Sequence, residues 1–377
     1  MADGRDTAPP VHKRQRGPRA WAEPVRHLDP GYFALVMATG IVSAALRDTG
    51  RPTLSAVLLI LAIVCLAVLV IALVVRLALF PRKVGADLSA PDRAFAFFSF
   101  VAAFGILADR LAEDGHRTPA AALGLIAALA WLGLTYGVPV RLVLGPHKGP
   151  VLKGVNGTWF LWVVGTQSLA VVSAALGTAY PEQARPFALA AVVAWSTGVV
   201  LYLLLTAVTL IRLLLLPVRP EELKPQHWVM MGAAAITVLA AARILRMPWA
   251  PLVGATGAVL AGLAVVLWSF GTWMIPMLLV FEAGRSMVRR FRLEYESPLW
   301  STVFPLGMYA ASGIELGRLM GAAIVEGIGL VWVWIAFPAW MITFAAMLLF
   351  LLNRWRARPA GTPGRPGTER ERDRAAG

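Results

Sequence analysis

Ten apolar stretches run through this chain, and short and long stretches alternate. A membrane-spanning helix needs about 20 apolar residues to cross about 30 Å of hydrocarbon. The five long stretches meet that length with few interruptions and cover residues 54–80, 119–144, 186–216, 251–281 and 328–352. The five short ones are broken by Gly, Pro or polar residues and cover residues 32–46, 94–112, 158–177, 228–242 and 299–317. The alternation predicts ten helices in two layers, an inner set screened from lipid by an outer set.

The amino-acid composition is typical of an integral membrane protein. Of the 377 residues, 58% are hydrophobic and only 15% are charged, whereas soluble domains carry about 25% charged residues. We therefore expect an all-α membrane domain over residues 28–355. The polar, basic and proline-bearing segments 1–27 and 356–377 are predicted to be disordered cytoplasmic tails.

The formal charge of +14 is explained by where Lys and Arg lie rather than by nucleic-acid binding. If both termini are cytoplasmic, 27 of the 35 Lys and Arg residues fall on the cytoplasmic side. This asymmetry is the positive-inside pattern, and it favours an even number of spans. We therefore predict a multi-pass protein of the cell membrane with both termini cytoplasmic. Its partners would be the lipid bilayer and small ions, not nucleic acid.

The short stretches resemble one another and predict five repeated helical hairpins. Each begins with an aromatic residue and has a small residue seven positions later. The pairs are Phe33 and Gly40, Phe98 and Gly105, Trp159 and Thr166, Trp228 and Ala235, and Trp300 and Gly307. Seven residues are two helical turns, so the members of a pair share a helix face. Small residues in that layer permit close packing or leave open volume, and five such faces in a ring would line a narrow conduit.

The most distinctive string in the chain is WSTVFPLGMY, in the fifth short stretch. Its Pro305 removes a backbone hydrogen bond and is expected to bend the helix, which membrane proteins tolerate beside a water-filled cavity. Phe304 directly precedes this proline. The equivalent positions of the other short stretches carry Met37, Ala102, Val163 and Gly232. One large ring in a narrow conduit would close it by excluding water, and ordinary helix packing by Phe304 is the alternative.

Residue types that support enzymatic or metal chemistry are not grouped in this sequence. There is no phosphate-binding loop, zinc-protease motif or nucleophile-elbow motif. The five histidines lie in predicted loops or at predicted helix ends. The lone cysteine, Cys65, excludes an intramolecular disulfide and a cysteine-clustered metal site. We therefore expect a protein that is not an enzyme, with no catalytic residues, no metal and no cofactor.

Charged residues within the predicted spans would mark ion pathways or proton relays, and they are scarce. Those present lie towards the ends of their stretches: Asp109, Arg110, Arg243, Glu282 and Glu315. We interpret them as interfacial anchors, with Glu315 and Arg318 suitably spaced for a local helical pair. A conduit without buried acidic groups does not repel anions, which favours anions over cations.

Two motifs, PGYFALVMATGIVSAAL at 30–46 and LWSTVFPLGMY at 299–309, resemble those of the tellurite-resistance/C4-dicarboxylate transporter family. That family includes plant guard-cell slow anion channels and fungal malate and sulfite permeases, and the resemblance extends over about residues 30–355. It implies five hairpins in which odd-numbered helices line a central pore and even-numbered helices form an outer ring. It also implies that Phe304 in the ninth helix closes the pore, and that the protein forms a homotrimer.

The resemblance and the composition together predict passage of small anions through a central pore. Chloride, nitrate, sulfite, tellurite and C4-dicarboxylates such as malate are the candidate substrates. A proton-coupled C4-dicarboxylate carrier is the alternative, and it needs a titratable group near the pathway. Glu282 and Glu315 are the candidates for that group. A membrane enzyme acting on lipid would need clustered acidic, histidine or metal-binding residues, which the sequence does not offer.

Overall fold

A computed structural model describes residues 23–145, 150–217, 224–247, 251–288 and 295–356, so most of both predicted tails lies outside it. The described part is all-helical and contains no β-strand. Its α-helices are α1 (Glu23–Arg26), α2 (Ala34–Asp48), α3 (Pro52–Leu79), α4 (Pro81–Leu88), α5 (Phe98–Glu113), α6 (Arg117–Leu144), α7 (Phe160–Ala179), α8 (Ala184–Leu215), α9 (Trp228–Leu245), α10 (Pro251–Val288), α11 (Trp300–Met320) and α12 (Ala323–Arg356).

Ten of these helices match the ten apolar stretches, with ends that differ by a few residues. Nine helices of the described ranges are long and apolar enough to cross a membrane. The 21-residue helix α11 is not among the nine, because glycine, serine, Glu315 and Arg318 lower its hydropathy. The short helix α1 lies at the end of the predicted tail 1–27, and α4 lies between the apolar stretches 54–80 and 94–112.

Burial divides the long helices into two layers. In apolar 18-residue segments of α2, α5, α7 and α9, 78% to 89% of the residues are buried, against 22% to 28% in the other five. Helix α11 is buried along nearly all of its length up to Gly317. Large aliphatic side chains such as Ile60, Ile71 and Leu214 cover the outer surface. Lipid tails are as apolar as these side chains, so their exposure costs little in a membrane.

The inner helices form a closed ring. Helices α2, α5, α7, α9 and α11 pack side by side in this order, and α11 packs back on α2. Each outer helix packs on the inner helix that precedes it in the chain and also contacts the next inner helix around the ring. The five hairpins therefore repeat around one axis, with the amino-terminal ends of all inner helices at the same end of the bundle.

A 3₁₀ turn leads into every inner helix and provides a second repeated feature. These turns are Pro30–Phe33, Ala94–Phe97, Gly157–Trp159, Pro225–His227 and Ser297–Leu299. The Asp29 side chain accepts a hydrogen bond from the backbone N–H of Gly31 at 2.7 Å. The Asn156 side chain does the same for Thr158 at 2.8 Å. Such caps satisfy N–H groups that a helix start would leave unpaired.

Hydrogen bonds between the layers join outer helices to the next inner helix. They connect Trp131 of α6 to the Thr166 hydroxyl (2.8 Å), Trp195 of α8 to the Thr237 carbonyl (3.0 Å), Thr272 of α10 to the Tyr309 hydroxyl (2.8 Å) and Trp340 of α12 to the Thr39 hydroxyl (3.0 Å). Each bond is worth about 0.6–2 kcal/mol in a membrane. Together they fix the rotation of these four outer helices against the ring.

Glycines bring α11 and α12 into close contact. A Cβ atom at Gly313 would lie 3.2 Å from the Cα atom of Gly329, and one at Gly317 would overlap the backbone of Glu326. Gly321 ends α11 in the left-handed region, with φ at 64°, which glycine adopts without a steric penalty. Gly313, Gly317 and Gly321 follow one another at intervals of four residues. The first two allow close packing of α11 on α12, and the third ends α11.

Internal proline does not distinguish the inner layer from the outer one. Helix α11 continues through Pro305, and the outer helices α6, α10 and α12 contain Pro139, Pro276 and Pro338. Length does distinguish the layers, since inner helices have 15 to 21 residues and outer helices 28 to 38.

Candidate functional site

A small cavity lies on the axis of the inner ring. All five inner helices contribute one layer of its lining, with Ile41 from α2, Ile106 from α5, Ser168 from α7, Ile236 from α9 and Met308 from α11. The volume is about 10 Å³, at the lower limit for one water molecule. The ring is therefore nearly filled by side chains at this level.

The lining layer falls at an equivalent place in each repeat, one or two positions after the layer of small residues. Ile41, Ile106, Ile236 and Met308 lie eight positions after the aromatic residue that begins the repeat, and Ser168 lies nine after it. One residue is a rotation of about 100° around a helix axis. We call the line of cavity-lining residues along each inner helix the axial stripe. The predicted small residue therefore lies on the flank of α2, α5, α9 and α11, beside this stripe, whereas Thr166 lies nearly opposite to it on α7.

Three glycines of the small layer accommodate the lining residue of the next helix. A Cβ atom at Gly40 would lie 2.9 Å from Cγ2 of Ile106, and one at Gly105 would lie 2.8 Å from Cβ of Ser168. A Cβ atom at Gly307 would lie 2.9 Å from Cγ2 of Ile41. These glycines allow neighbouring inner helices to approach closely, and Gly105 also lines the cavity.

The other two residues of the predicted small layer, Thr166 and Ala235, are placed differently from the glycines. The Thr166 hydroxyl donates to the Trp162 carbonyl at 2.8 Å and accepts from Trp131 of the outer helix α6. Ala235 is buried within α9. Because its hydroxyl is bonded to the outer layer, Thr166 is the weakest of the pore-lining candidates.

Phe304 lies on the axial face of α11. It precedes Met308 by four residues, which places both side chains on one face of the helix, and Met308 lines the cavity. The Phe304 side chain is 1% exposed. A Cβ atom at Gly232 would lie 3.2 Å from Cε1 of Phe304 and 2.9 Å from the ring of Pro305. The glycine in α9 therefore makes room for this phenylalanine and proline.

The remaining candidates at the level of Phe304 are Met37, Ala102 and Val163, and all three are fully buried. Met37 and Ala102 lie four residues before Ile41 and Ile106, and Gly232 lies four before Ile236. Met37, Ala102 and Gly232 therefore continue the axial stripe towards the amino-terminal ends of their helices, whereas Val163 lies five residues before Ser168 and does not follow this spacing. At that level, α11 contributes the large aromatic ring of Phe304.

A network of ion pairs lies across the carboxyl-terminal ends of the inner helices, and sequence reasoning missed it. Its members are Arg47 and Asp48 of α2, Asp109, Arg110, Glu113 and Asp114 at the end of α5, Arg243 and Arg246 at the end of α9, Glu315 and Arg318 of α11, and Glu326 of α12. The arginines stabilise the negative ends of the helix dipoles, and each is paired with acidic side chains.

Arg243 is the centre of this network. Its guanidinium lies 3.6 Å from Oδ2 of Asp109 and 3.7 Å from Oε1 of Glu315, and it also donates to Glu113. The side chains of Asp109 and Glu315 are 9% and 6% exposed. Interpreting Asp109, Arg243 and Glu315 as interfacial anchors was therefore wrong, because the two carboxylates are buried and converge from α5 and α11 on one guanidinium, whose side chain is 19% exposed.

The expected local pair of Glu315 with Arg318 is also not what forms. Glu315 pairs with Arg243 and Arg246 of α9. Arg318 pairs instead with Asp48 at 3.2 Å and with Glu326 at 2.9 Å. Both side chains reach neighbouring helices because the ring brings side chains of opposite charge together at the carboxyl-terminal ends of the inner helices. Glu282 lies elsewhere, near the carboxyl-terminal end of α10 at the other end of the bundle.

A larger cleft of about 370 Å³ lies next to the network, between the ends of α5, α7 and α9. Arg117, Thr178, Arg243 and Arg246 are among its lining residues. Asp109 lines both this cleft and the axial cavity. Asp109 therefore lies between the axial cavity and the cleft, next to its partner Arg243.

The chain belongs to the voltage-dependent anion channel (SLAC1) family, whose model matches residues 27–348. This result confirms the resemblance found in the two motifs. An uncharacterized membrane protein of Mycobacterium tuberculosis is 46% identical over 167 residues, which are 44% of this chain and 81% of that protein. An uncharacterized transporter of Methanocaldococcus jannaschii is 24% identical over 85% of this chain and 92% of its own length.

A fungal relative carries a functional name. The sulfite efflux pump of Arthroderma otae is 21% identical over 346 residues, which are 85% of this chain and 90% of the pump. The family and these relatives define the class as membrane channels and transporters for anions, rather than enzymes. The apolar helices and the names of the relatives agree on a multi-pass membrane protein.

Proposed function

We propose that this protein passes small anions across the cell membrane along the axis of its inner helices. The observation that carries this proposal is the axial cavity, to which every inner helix contributes a side chain. In this proposal all ten long helices span the bilayer, including α11. Because its neighbours enclose α11, this helix needs no continuous apolar surface of its own. The assembly would be a homotrimer, as the family resemblance implies.

The charge distribution at both ends of the ring supports anions as the passing ions. The five inner helices are parallel, so their amino-terminal ends, each with a partial charge of about +0.5, lie at one end of the axis. At the other end, the arginines and carboxylates of the network balance one another, and Arg243 and Arg246 line the cleft. An anion is therefore attracted by the parallel dipoles at the amino-terminal end and meets arginine donors at the other end.

Phe304 would close this path in the conformation described. Its ring is buried on the axial face of α11, next to a layer whose cavity has the volume of about one water molecule. An anion would have to lose most of its hydration to pass, which is the basis of a hydrophobic gate. Opening would require the ring to move away from Gly232.

Voltage-clamp recording of the purified full-length protein tests the proposal. Chloride, nitrate, sulfite, tellurite and malate would be compared, with sulfite given priority because relatives are named sulfite efflux pumps. The reversal potential should follow the gradient of the anion. A reversal potential that follows the cation gradient, or no current from folded wild-type and Phe304→Ala protein, would contradict the proposal.

A proton-coupled dicarboxylate carrier is the second candidate, and one observation favours it. The titratable side chain of Asp109 lies between the axial cavity and the cleft, which is where a proton-coupled carrier needs such a group. Malate uptake against its gradient, abolished by a protonophore, would establish a carrier. Uptake that only follows the electrochemical gradient of malate would establish a channel.

Both termini are proposed to be cytoplasmic, and labelling of single cysteines tests this topology. In a Cys65→Ala background, we expect Ser297→Cys to resist an impermeant maleimide in intact cells and to react after permeabilisation. Arg51→Cys, in the connection between α2 and α3 at the other end of the bundle, is the matched control and should react in intact cells. The reverse pattern would invert the proposed topology.

A further inference from the structure

We infer that Asp109 and Arg243 form a second gate, at which acidic side chains of the protein occupy an anion-binding site on Arg243. A passing anion would bind this guanidinium only when the carboxylates are displaced or protonated. The inference rests on the proposed anion path and adds a binding residue and a form of regulation to it. It concerns a different level of the axis from Phe304.

The position of the pair is the first argument. Asp109 lies seven residues beyond the level of Phe304 in the repeat, which is about 10 Å along a helix. Its side chain is the boundary between the axial cavity and the cleft of about 370 Å³. Arg243 lines that cleft and contacts Asp109 across the boundary at 3.6 Å. An ion on the axis therefore meets this pair before it reaches the cleft.

The coordination of Arg243 is the second argument. Carboxylates from two helices surround its guanidinium, with Asp109 and Glu113 from α5 and Glu315 from α11. A guanidinium is planar and always charged, and it binds carboxylates and other oxyanions with the same donors. The protein's own carboxylates therefore occupy the N–H donors of Arg243 that a passing anion would need.

An unpaired oxygen is the third argument. The Oδ1 atom of Asp109 is buried and has no hydrogen-bond partner among the described residues, and the residue is 7% exposed. Buried polar atoms are normally paired, so an unpaired one suggests a proton or a ligand at that position. A proton on Oδ1 would add a donor there and would weaken the hold of Asp109 on Arg243.

The charge balance gives the direction of the pH effect. The charged groups around Asp109 are Arg47, Asp48, Arg110, Glu113, Asp114, Arg117, Arg243, Arg246, Glu315, Arg318 and Glu326. With all of them and Asp109 ionised, positive and negative charges balance. A proton taken up by Asp109 leaves Arg243 with one carboxylate partner fewer and makes this site more positive. Acid on this side should therefore increase anion passage.

Chloride currents through the full-length protein, recorded between pH 5 and pH 8 on the network side, test the inference. In wild type, the current should rise as the pH falls. We expect Asp109→Asn and Glu315→Gln to raise the current at pH 8 about fivefold, because each removes a negative charge next to Arg243. Asp109→Asn should also flatten the pH dependence. Arg243→Gln should lower the current about tenfold at every pH, because the anion site is lost.

Glu326→Gln is the matched control, since Glu326 pairs with Arg318 on the outer side of α11 and not with Arg243. It should keep the wild-type current and pH dependence. A wild-type current that does not change with pH would overturn the inference without any mutation. Folded Asp109→Asn and Glu315→Gln proteins that behave like Glu326→Gln would also overturn it. A complete lack of anion current in wild type and in Phe304→Ala would instead refute the proposed function.

Discussion

Replacing Phe304 with alanine should raise the anion current of the full-length protein about tenfold or more. The ring is buried on the axial face of α11, beside a cavity of about 10 Å³. Removing it opens space next to Gly232 and lets water enter that level, which reduces the cost of dehydrating an anion. A barrier lower by about 1.4 kcal/mol already gives a tenfold rate. Single-channel and macroscopic currents in planar bilayers measure the effect.

Phe160→Ala is the matched control for this substitution. Phe160 is as completely buried as Phe304, but its ring packs against Tyr202 of the outer helix α8, with ring centroids 5.8 Å apart. Both substitutions remove a buried ring and should cost about 3–5 kcal/mol of stability, so folding must be checked by size-exclusion chromatography. Equal currents from the folded Phe304→Ala and Phe160→Ala proteins would remove Phe304 as the gate.

Replacing Gly317 with alanine should lower the melting temperature of the protein markedly. A Cβ atom at Gly317 would overlap the backbone nitrogen and Cα of Glu326. Backbone atoms cannot move away by a rotamer change, so α11 and α12 would have to separate. Such overpacking typically costs about 1–3 kcal/mol, and it would also weaken the pair of Arg318 with Glu326. Thermal unfolding in detergent, followed by size-exclusion chromatography, measures the loss.

Gly327→Ala is the control because Gly327 lies in the same hairpin and a Cβ atom there would meet no other atom within 4 Å. Alanine is favoured over glycine in a helix by about 1 kcal/mol, so this variant should be as stable as wild type or more stable. If Gly317→Ala and Gly327→Ala unfold at the same temperature, the close contact of α11 with α12 does not stabilise the protein.

Most of the fold could be predicted from the sequence because the bilayer imposes long helices and because the repeat is regular. Apolar length identified the five outer helices, and the alternation of long and short stretches identified the two layers. The repeat of aromatic and small residues indicated which helices are equivalent. Helix α11 could be predicted to span the membrane only from its position between two clear spans, because its own sequence is too polar to indicate a span.

The axial stripe could be predicted only to within one or two positions along each helix. The pattern drew attention to small residues such as Gly40 and Gly307, which prove to be contacts between inner helices. The lining residues Ile41 and Met308 are ordinary apolar residues, and nothing in their type separates them from residues of the core. Helix rotation is set by tertiary packing, which a single sequence does not specify.

The ion-pair network could not be predicted because its members are far apart in sequence. Glu113 and Arg243 are separated by 130 residues, and Asp48 and Arg318 by 270. Each one lies near a helix end, where single charges are common and usually face water. Only the closed ring, which brings the ends of α2, α5, α9 and α11 together, shows that these charges neutralise one another.

The central claim is that anions follow the axis of the inner ring, and modification of a cysteine at Met308 tests it most directly. The protein would carry Met308→Cys together with Phe304→Ala and Cys65→Ala, and an anionic thiosulfonate reagent would be added during a chloride recording. Met308 lines the axial cavity, so we expect the reagent to react and to block most of the current. A current that persists after mass spectrometry has shown complete modification would contradict an axial path.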